Sequence, residues 1–193
     1  MSRPAALPLI LPDWPAPPSV RACVTTKLGG VSAPPFGPFN PATHVGDDPQ
    51  AVADNRALLR AHLPAEPLWL DQVHGVDVLD ADRQRCGTGD ASVAHRPNRV
   101  CAVMTADCLP VLFCASDGSK VAAAHAGWRG LAGGVLLNTL AEFESAGDVL
   151  VFLGPAIGPD AFEVGPEVRE AFGWASDACF RAGQGDRLQA DLY

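Results

Sequence analysis

Two apolar runs that lie close together in the chain constrain the fold more than any other feature of the sequence. The first is RVCAVMTADCLPVLFCA, the second is KVAAAHAGW, and only SDGS separates them. Runs of this kind predict strands that are buried on both faces of a sheet. The second run reaches His125 and leads into a turn that contains Gly127 and Gly130. The sequence therefore predicts a histidine at the end of a buried strand, either bonded to backbone in the core or directed into a cleft.

Helix signals alternate with strand signals along the chain. The segment DDPQAVADNRALLRAHL has Asp48 as a helix cap and Pro49 in the first turn, and GPEVREAFGW predicts a short helix. An apolar stripe at helical spacing follows the second run and consists of Leu131, Val135, Leu136, Leu140 and Phe143. Further strands are predicted in SVRACVTT, in PLWLDQVHGVDVLDAD as two short strands that meet near His74 and Gly75, and in DVLVFLGPAIGP as a buried strand. This alternation predicts an α/β (α+β) domain built of layers.

The size and composition of the chain favour one compact domain. With 48% hydrophobic and 19% charged residues, residues 1–193 are expected to form a single domain with a sizeable core. The net charge of −8 and the isoelectric point near 4.9 argue against nucleic acid or an anionic membrane as a partner. We therefore expect no nucleic acid and no membrane among its partners.

The sequence gives no sign of export. The N-terminal MSRPAALPLILPDWP has an apolar run broken by prolines, so it does not predict a secretory signal, and no stretch is long enough to span a membrane. We expect a cytoplasmic protein whose six cysteines are reduced thiols. The absence of a CxxC pair argues against a zinc ribbon and against a thioredoxin-like redox motif.

Three side chains at predicted strand ends or turns are candidates for chemistry: His74, Cys108 and His125. Two imidazoles and a thiolate leave one tetrahedral position of a zinc ion free, as in catalytic sites, and such a metal generates a nucleophilic water near neutral pH. Their separations of 34 and 17 residues match no local zinc-finger spacing, so alternatives stay open. Cys108 could instead be a thiolate nucleophile with His125 as its base and Asp107 orienting a histidine, or all could be bonded to backbone.

Other polar residues are candidates for binding a substrate. Arg129 stands at the start of a predicted helix, where anions are favoured, although an isolated arginine is usually solvated. The long loop KLGGVSAPPFGPFNPATHVGD supplies Lys27, Asn40 and His44, which have no obvious structural role. Trp128 is expected to pack in the core.

Two acidic residues are candidates for hydrogen bonds to metal-bound histidines, at the ring nitrogen that does not bind the metal. Asp90 in GDAS and Glu163 in FEVG could each accept a hydrogen bond from a histidine ring. Turn formation explains both residues equally well.

Several blocks together resemble the YfiH family, whose members are also called laccase-domain proteins or multicopper polyphenol oxidases. These blocks are TTKLGGVS, HVGDDP, WLDQVHG, VCAVMTADCLPVLFC, VAAAHAGWRGLAGGVL and LGPAIGPDAFEVG, in the family's order. The resemblance runs from about Trp14 to Tyr193. It implies a layered α/β/β/α sandwich similar to the cysteine-hydrolase domain of cytotoxic necrotising factor. It also implies a metal site, usually zinc, whose ligands match His74, Cys108 and His125.

The resemblance also implies activity on purine nucleosides. One activity is phosphorolysis of adenosine, inosine, guanosine or methylthioadenosine, with phosphate near Arg129 and Lys27, and another is deamination of adenosine. The alternative within the family is copper-dependent oxidation of phenols, for which five histidines are few. A metal-binding protein without catalysis is a further alternative. The expected partners are a purine nucleoside and phosphate, with the chain a monomer or a small homo-oligomer.

This chain departs from the family pattern at two places. Lys27 stands where the family usually has arginine, which keeps the charge but loses bidentate phosphate geometry. The family continues beyond the ADLY that ends at Tyr193, with a segment that contains another cysteine and an arginine pair. The C-terminal segment of the family is therefore expected to be missing here.

Overall fold

The computed structural model describes residues 7–193, in which twelve short strands, four α-helices and two short 3-10 helices follow one another. The strands are β1 (Leu9–Ile10), β2 (Val24–Thr25), β3 (Trp69–Asp71), β4 (Val78–Asp80), β5 (Cys86–Thr88), β6 (Ala91–Ala94), β7 (Leu109–Ala115), β8 (Val121–Ala126), β9 (Val149–Leu153), β10 (Glu163–Val164), β11 (Phe180–Ala182) and β12 (Leu188–Ala190). The helices are α1 (Pro49–Arg60), α2 (Trp128–Gly133), α3 (Val135–Ala141) and α4 (Pro166–Ala171). Residues 1–6, with which the N-terminal segment MSRPAALPLILPDWP begins, lie outside the described residues.

A mixed five-stranded sheet forms the centre of the fold, with the strand order β4-β6-β8-β7-β9. Strands β7 and β8 pair antiparallel and place Leu109 opposite Ala126, whereas β4 and β6 are parallel. Four of the six residues of strand β8 are alanine, and the strand is buried along most of its length. Small side chains there let both covering layers approach the sheet closely, so the prediction of two adjacent buried strands is confirmed.

Helix α3 covers one face of the central sheet and packs on β8, β6 and β4. The predicted apolar stripe is present, but it is divided between two helices, and its last member, Phe143, lies beyond the end of α3. Gly134 has a φ of 96° and ends α2 before α3 begins at Val135. This left-handed conformation is favourable for glycine and costly for other residues, so Gly134 turns the chain and keeps both helices on the core.

The opposite face of the central sheet is covered by strand β3, which pairs parallel with β5. Leu68 and Leu70 pack there on Leu79, while Trp69 packs towards α1 beside Leu59. Helix α1 begins as predicted, because the Asp48 side chain accepts a hydrogen bond from the Gln50 N–H and Pro49 follows it. A helix, two sheets and a second helix therefore lie in succession, and the predicted α/β class is confirmed.

Strands β10, β12 and β11 form a third, antiparallel sheet against which α4 packs. The core of this unit contains Val164, Val168 and Phe172. Trp128 of α2 packs against this cluster, as its expected packing role requires. Helix α2 therefore lies between the central sheet and the C-terminal sheet.

Three strand predictions differ from the structure. The segment SVRACVTT forms a strand only at Val24–Thr25. The run that begins at Arg99 forms a strand only from Leu109, since the polar Thr105–Asp107 stretch is exposed; upstream, Cys101 makes only an isolated bridge to Leu68. Strand β9 was expected to be buried but is an edge strand, on which Val151 is 47% exposed. Within residues 7–193, no helix combines the length and apolar character needed to cross a bilayer.

Candidate metal centre

The pairing of β7 with β8 brings two of the predicted ligands together. Cys108 directly precedes β7, and His125 is the penultimate residue of β8, so the antiparallel register places them side by side. His74 joins them from the turn between β3 and β4. The three potential ligand atoms all lie within 4.8 Å of one another, and Cys108 Sγ lies 3.9 Å from His74 Nε2. The structure thus assembles the three residues that the sequence singled out.

The glycines of the turn are required by close packing around these side chains. A Cβ on Gly127 would lie 2.5 Å from His74 Cδ2 and 3.1 Å from Cys108 Sγ. A Cβ on Gly130 would lie 2.7 Å from the carbonyl oxygen of Gly75. Such distances are well below van der Waals contact, so any larger residue would displace the His74 turn.

Asp90 links both histidines of the site through its buried carboxylate. Its Oδ1 accepts from the backbone N–H of His74 at 2.9 Å and pairs with His125 Nδ1 at 2.8 Å. Its Oδ2 accepts from the N–H groups of Val73 at 3.1 Å and Gly75 at 2.7 Å. The hydrogen bond to a histidine ring that was considered for Asp90 is therefore present. Glu163, the other candidate, is exposed on β10 in a different sheet.

The titration behaviour of the three buried or half-buried groups follows from this arrangement. Burial lowers the pKa of His125 and outweighs the opposing effect of Asp90, which favours a neutral ring. Burial alone would raise the pKa of Asp90, but hydrogen bonds from His125 and the backbone prevail and the pKa is lowered. Burial, with the nearby Asp107 and Asp90 carboxylates, raises the pKa of the Cys108 thiol. Without a cation, Cys108 is therefore poorly suited to be a thiolate nucleophile.

The donor set fits a single tetrahedral metal ion. Zinc with bonds of about 2.0 Å to nitrogen and about 2.3 Å to sulfur sets neighbouring ligand atoms about 3.5 Å apart. The 3.9 Å between Cys108 Sγ and His74 Nε2 is close to this value. His74 is exposed and Cys108 half-buried, whereas His125 is buried, so the cluster is open to solvent on one side only.

The remaining candidates near the cluster are on the surface. Asp107 is exposed beside Cys108, and its backbone carbonyl accepts a hydrogen bond from the Ile157 N–H at 2.9 Å. Arg129 is exposed in the first turn of α2, and its guanidinium lies 4.3 Å from the ring centroid of Trp128. Both side chains are accessible to a ligand.

The loop candidates lie apart from the cluster in their contacts. Lys27 and His44 are exposed. Asn40 has a structural role that the sequence did not reveal, because its side-chain amide donates to Asp47 Oδ2 at 2.9 Å and its Oδ1 accepts from the Ala42 N–H. A substrate contact by any of these three residues stays a prediction.

Sequence reasoning missed Asn55, which organises this loop. Asn55 is fully buried on α1 and donates to Ser32 Oγ at 2.8 Å and to the carbonyls of Pro38 and Asn40. A signal was available, since Asn55 occupies a position in the helical stripe between the buried Val52 and Leu59. A polar residue at a core-facing position of a helix indicates a buried hydrogen-bond network.

Comparison with known proteins defines the family. A model of the family described as multi-copper polyphenol oxidoreductase laccase matches residues 21–193. The chain belongs to this family. A Pseudomonas aeruginosa relative called purine nucleoside phosphorylase is 54% identical over 189 residues, which are 95% of this chain and 78% of the relative. The Escherichia coli purine nucleoside phosphorylase YfiH is 53% identical over 193 residues, covering 96% of this chain and 79% of YfiH.

Solved structures of YfiH-like proteins have the same fold. A crystal structure of a Neisseria meningitidis protein described as DUF152 superposes with a TM-score of 0.90 at 45% identity, covering 96% of this chain and 79% of that one. YlmD from Geobacillus stearothermophilus superposes with a TM-score of 0.79 at 30% identity, covering 97% and 80%. The resemblance to the YfiH family and its fold is therefore confirmed.

Proposed function

We propose that this chain is a zinc-dependent enzyme that acts on purine nucleosides, by phosphorolysis and by deamination of adenosine. The observation that carries the proposal is the converged group of His74, Cys108 and His125, with one imidazole already bonded to a buried carboxylate. Relatives that share over half of its residues are called purine nucleoside phosphorylases. The proposal takes residues 1–193 as one functional domain.

His74 and His125 would hold the metal through ring nitrogens and Cys108 through its sulfur. A zinc ion bound by three protein ligands supplies a Lewis acid with one open coordination position. The metal's charge would also hold Cys108 as a thiolate, which reverses the effect of burial on its pKa. His125 contributes a neutral ring, and His74 closes the side of the cluster nearest to solvent.

Arg129 is proposed to bind phosphate beside the cluster. It is two residues beyond Gly127, and its stacking on Trp128 restrains the guanidinium plane while its N–H groups stay accessible. Phosphorolysis requires a phosphate oxygen to bond to C1′ of the ribose while the bond from C1′ to the purine nitrogen breaks. Lys27 is proposed as a second cationic contact to phosphate, and Asn40 and His44 as contacts to the nucleoside.

Asp107 is proposed to move the proton that this chemistry requires. In phosphorolysis the leaving purine gains a proton on nitrogen, and in deamination the leaving amino group gains one. The Asp107 carboxylate is exposed and next to Cys108, so it is suitably placed to exchange protons with solvent and with a purine bound at the cluster.

The test combines metal analysis with product identification. The full chain is loaded with zinc, and adenosine is supplied with and without inorganic phosphate while adenine, inosine and hypoxanthine are separated by chromatography. Cys108→Ala removes one ligand, and Cys86→Ser, an exposed cysteine on β5, is the matched control. We expect about one zinc per chain in the wild type and control, and loss of zinc and turnover in Cys108→Ala.

Each outcome identifies a different chemistry. Phosphate-dependent adenine supports phosphorolysis, and phosphate-independent inosine supports deamination. Turnover that survives chelation but not Cys108→Ala would point to a metal-free cysteine hydrolase. Activity on phenols that is restored by copper and not by zinc would point to an oxidase. Stoichiometric zinc without nucleoside turnover would contradict the proposed catalysis and leave a metal-binding protein.

A further inference from the structure

The carboxylate of Asp90 is the point at which the two histidines of the cluster are connected. It is fully buried and has four donors directed at it: the ring of His125 and the backbone N–H groups of Val73, His74 and Gly75. The backbone of Asp90 is fixed as well, because its carbonyl accepts from the His125 N–H at 2.7 Å. Three consecutive N–H groups that converge on one anion form a compact binding nest.

This nest explains the conformation of the His74 turn. His74 has a φ of 59°, in the left-handed region that only a few per cent of residues other than glycine adopt. The hydrogen bonds from Val73, His74 and Gly75 to the two Asp90 oxygens compensate for that conformation. The His74 ring is thereby held beside Cys108.

The hydrogen bond to His125 determines which ring nitrogen carries the proton. An ionised carboxylate can only accept, so His125 Nδ1 must be the protonated nitrogen in a neutral ring. Nε2 then has a free lone pair for a metal. Metal-binding histidines are commonly oriented in this way by a carboxylate on the second nitrogen.

We propose that Asp90 is a positioning residue that sets the tautomer of His125 and the turn of His74 together, so that both ligands are arranged before a metal binds. The inference rests on the metal site of the proposed function and does not depend on which nucleoside the enzyme uses. Asp90 itself donates no ligand atom to the three-residue cluster.

The variant Asp90→Asn distinguishes this role from simple space filling. An asparagine amide is the same size, but its NH2 group is a donor. With the NH2 at the Oδ1 position it faces the His74 N–H and forces His125 to carry its proton on Nε2. With the NH2 at the Oδ2 position it faces the N–H groups of Val73 and Gly75, and the turn loses two hydrogen bonds.

Asp82→Asn is the matched control. Asp82 is a second buried aspartate that pairs with a histidine, with His95 Nδ1 at 3.1 Å, and it lies outside the metal cluster. Zinc affinity is measured on the full chain by competition with a chelator of known affinity. We expect Asp90→Asn to bind zinc about 10- to 100-fold more weakly and Asp82→Asn to stay within about threefold of wild type. When cobalt replaces zinc, its visible absorption should be weaker in Asp90→Asn and unchanged in Asp82→Asn.

A second measurement requires no variant to fold. Nitrogen-15 NMR of the imidazole rings in chelator-treated wild type should show His125 protonated on Nδ1. Protonation on Nε2 would overturn the proposal, as would an Asp90→Asn zinc affinity within about threefold of wild type. If wild type binds no zinc, the metal site of the proposed function fails, and the NMR result still decides what Asp90 does to His125.

Discussion

Two aspartate–histidine pairs flank strand β6, and only one of them belongs to the candidate site. Asp90 precedes the strand and pairs with His125 at 2.8 Å, with both side chains at most 4% exposed. His95 follows the strand and pairs with Asp82 at 3.1 Å, but the His95 side chain is 46% exposed. A buried carboxylate bonded to an imidazole is therefore not in itself a site.

The difference lies in what surrounds each imidazole. The free nitrogen of His125 is within reach of Cys108 and His74, whereas the His95 ring is open to solvent. Arg99 Nε lies 3.6 Å from Asp82 Oδ1, so that carboxylate has a permanent cation beside it. Asp82 therefore takes part in a structural ion pair with Arg99, whereas Asp90 is placed to support a proposed metal ligand.

The largest difference between the two pairs is expected when the histidine of each pair is replaced in turn. His125→Ala deletes a ligand and leaves the buried Asp90 without its ring partner, so we expect zinc affinity to fall at least ~100-fold and the metal-free chain to lose about 3 kcal/mol. His95→Ala should leave zinc affinity unchanged and cost less than about 1 kcal/mol, because its ring is half in water and Arg99 remains. Chelator competition and urea unfolding of the metal-free proteins measure both quantities.

Equal losses of stability in the two histidine variants would contradict the distinction between the pairs. Wild-type zinc affinity in His125→Ala would contradict the ligand assignment itself. Loss of zinc in His95→Ala, with the free energy of unfolding unchanged, would show that a metal binds near His95 and not at the predicted cluster.

A smaller effect is expected from closing the space beside the cluster. Gly127 has a φ of −62°, so alanine fits its backbone and Gly127→Ala tests only the contact of the new Cβ with His74 and Cys108. We expect zinc affinity to fall about 10- to 100-fold, which corresponds to the 1–3 kcal/mol typical of overpacking. Gly158→Ala, whose Cβ would meet nothing within 4 Å, is the control and should bind zinc normally. Normal zinc binding by Gly127→Ala would show that the ligands do not depend on this packing.

The sequence was sufficient to select the three residues that the structure brings together, but not the residue that connects the two histidines. His74, Cys108 and His125 could be selected because imidazole and thiol side chains stand at predicted strand ends or turns, and the resemblance to the YfiH family favoured a metal site over the alternatives. Asp90 could be named only as one of two equal candidates, because the register of β6 against β8, which brings Asp90 to His125, is a long-range pairing. Local patterns carry no information on strand order.

The fold shows the same division between local and long-range information. Capping at Asp48 and the burial of β7 and β8 follow from neighbouring residues and were predicted correctly. The break at Gly134 was missed because an apolar stripe continues in phase across it. The edge position of β9 depends on which strand lies beyond it, so its apolar sequence was misleading.

The two aspartate–histidine pairs also differ in the expected reactivity of the cysteine near each of them, which is Cys101 near Asp82 and Cys108 near Asp90. Burial raises the pKa of Cys101, the thiol near Asp82, to about 12, so it stays protonated at the pH used for alkylation. We expect Cys101 to react with iodoacetamide at least about tenfold more slowly than the exposed Cys86, with or without zinc. Cys108, whose pKa is also raised by burial, should react more slowly than Cys86 without zinc and more slowly still when zinc is present. Mass spectrometry of labelled peptides over time measures all three rates, and zinc-dependent protection of Cys101 would argue against a single metal cluster.

The smallest effect is expected at a third carboxylate that collects hydrogen bonds without an imidazole. Hydrogen bonds from Ser32 and Asn40 lower the pKa of Asp47, so its ionised form stabilises the fold above the unfolded value of about 3.9, and this contribution is lost as the pH falls through the lower folded pKa. The stability advantage of wild type over Asp47→Asn should therefore be constant between about pH 7 and about pH 5 and shrink as the pH falls further. Asp54→Asn, at an exposed site on α1, is the control. Urea midpoints across this range measure the trend. An advantage that grows on acidification would mean that Asp47 is stabilised in its protonated form. Zinc affinity should not follow this titration, because Asp47 supports the long loop and α1 and not the metal cluster.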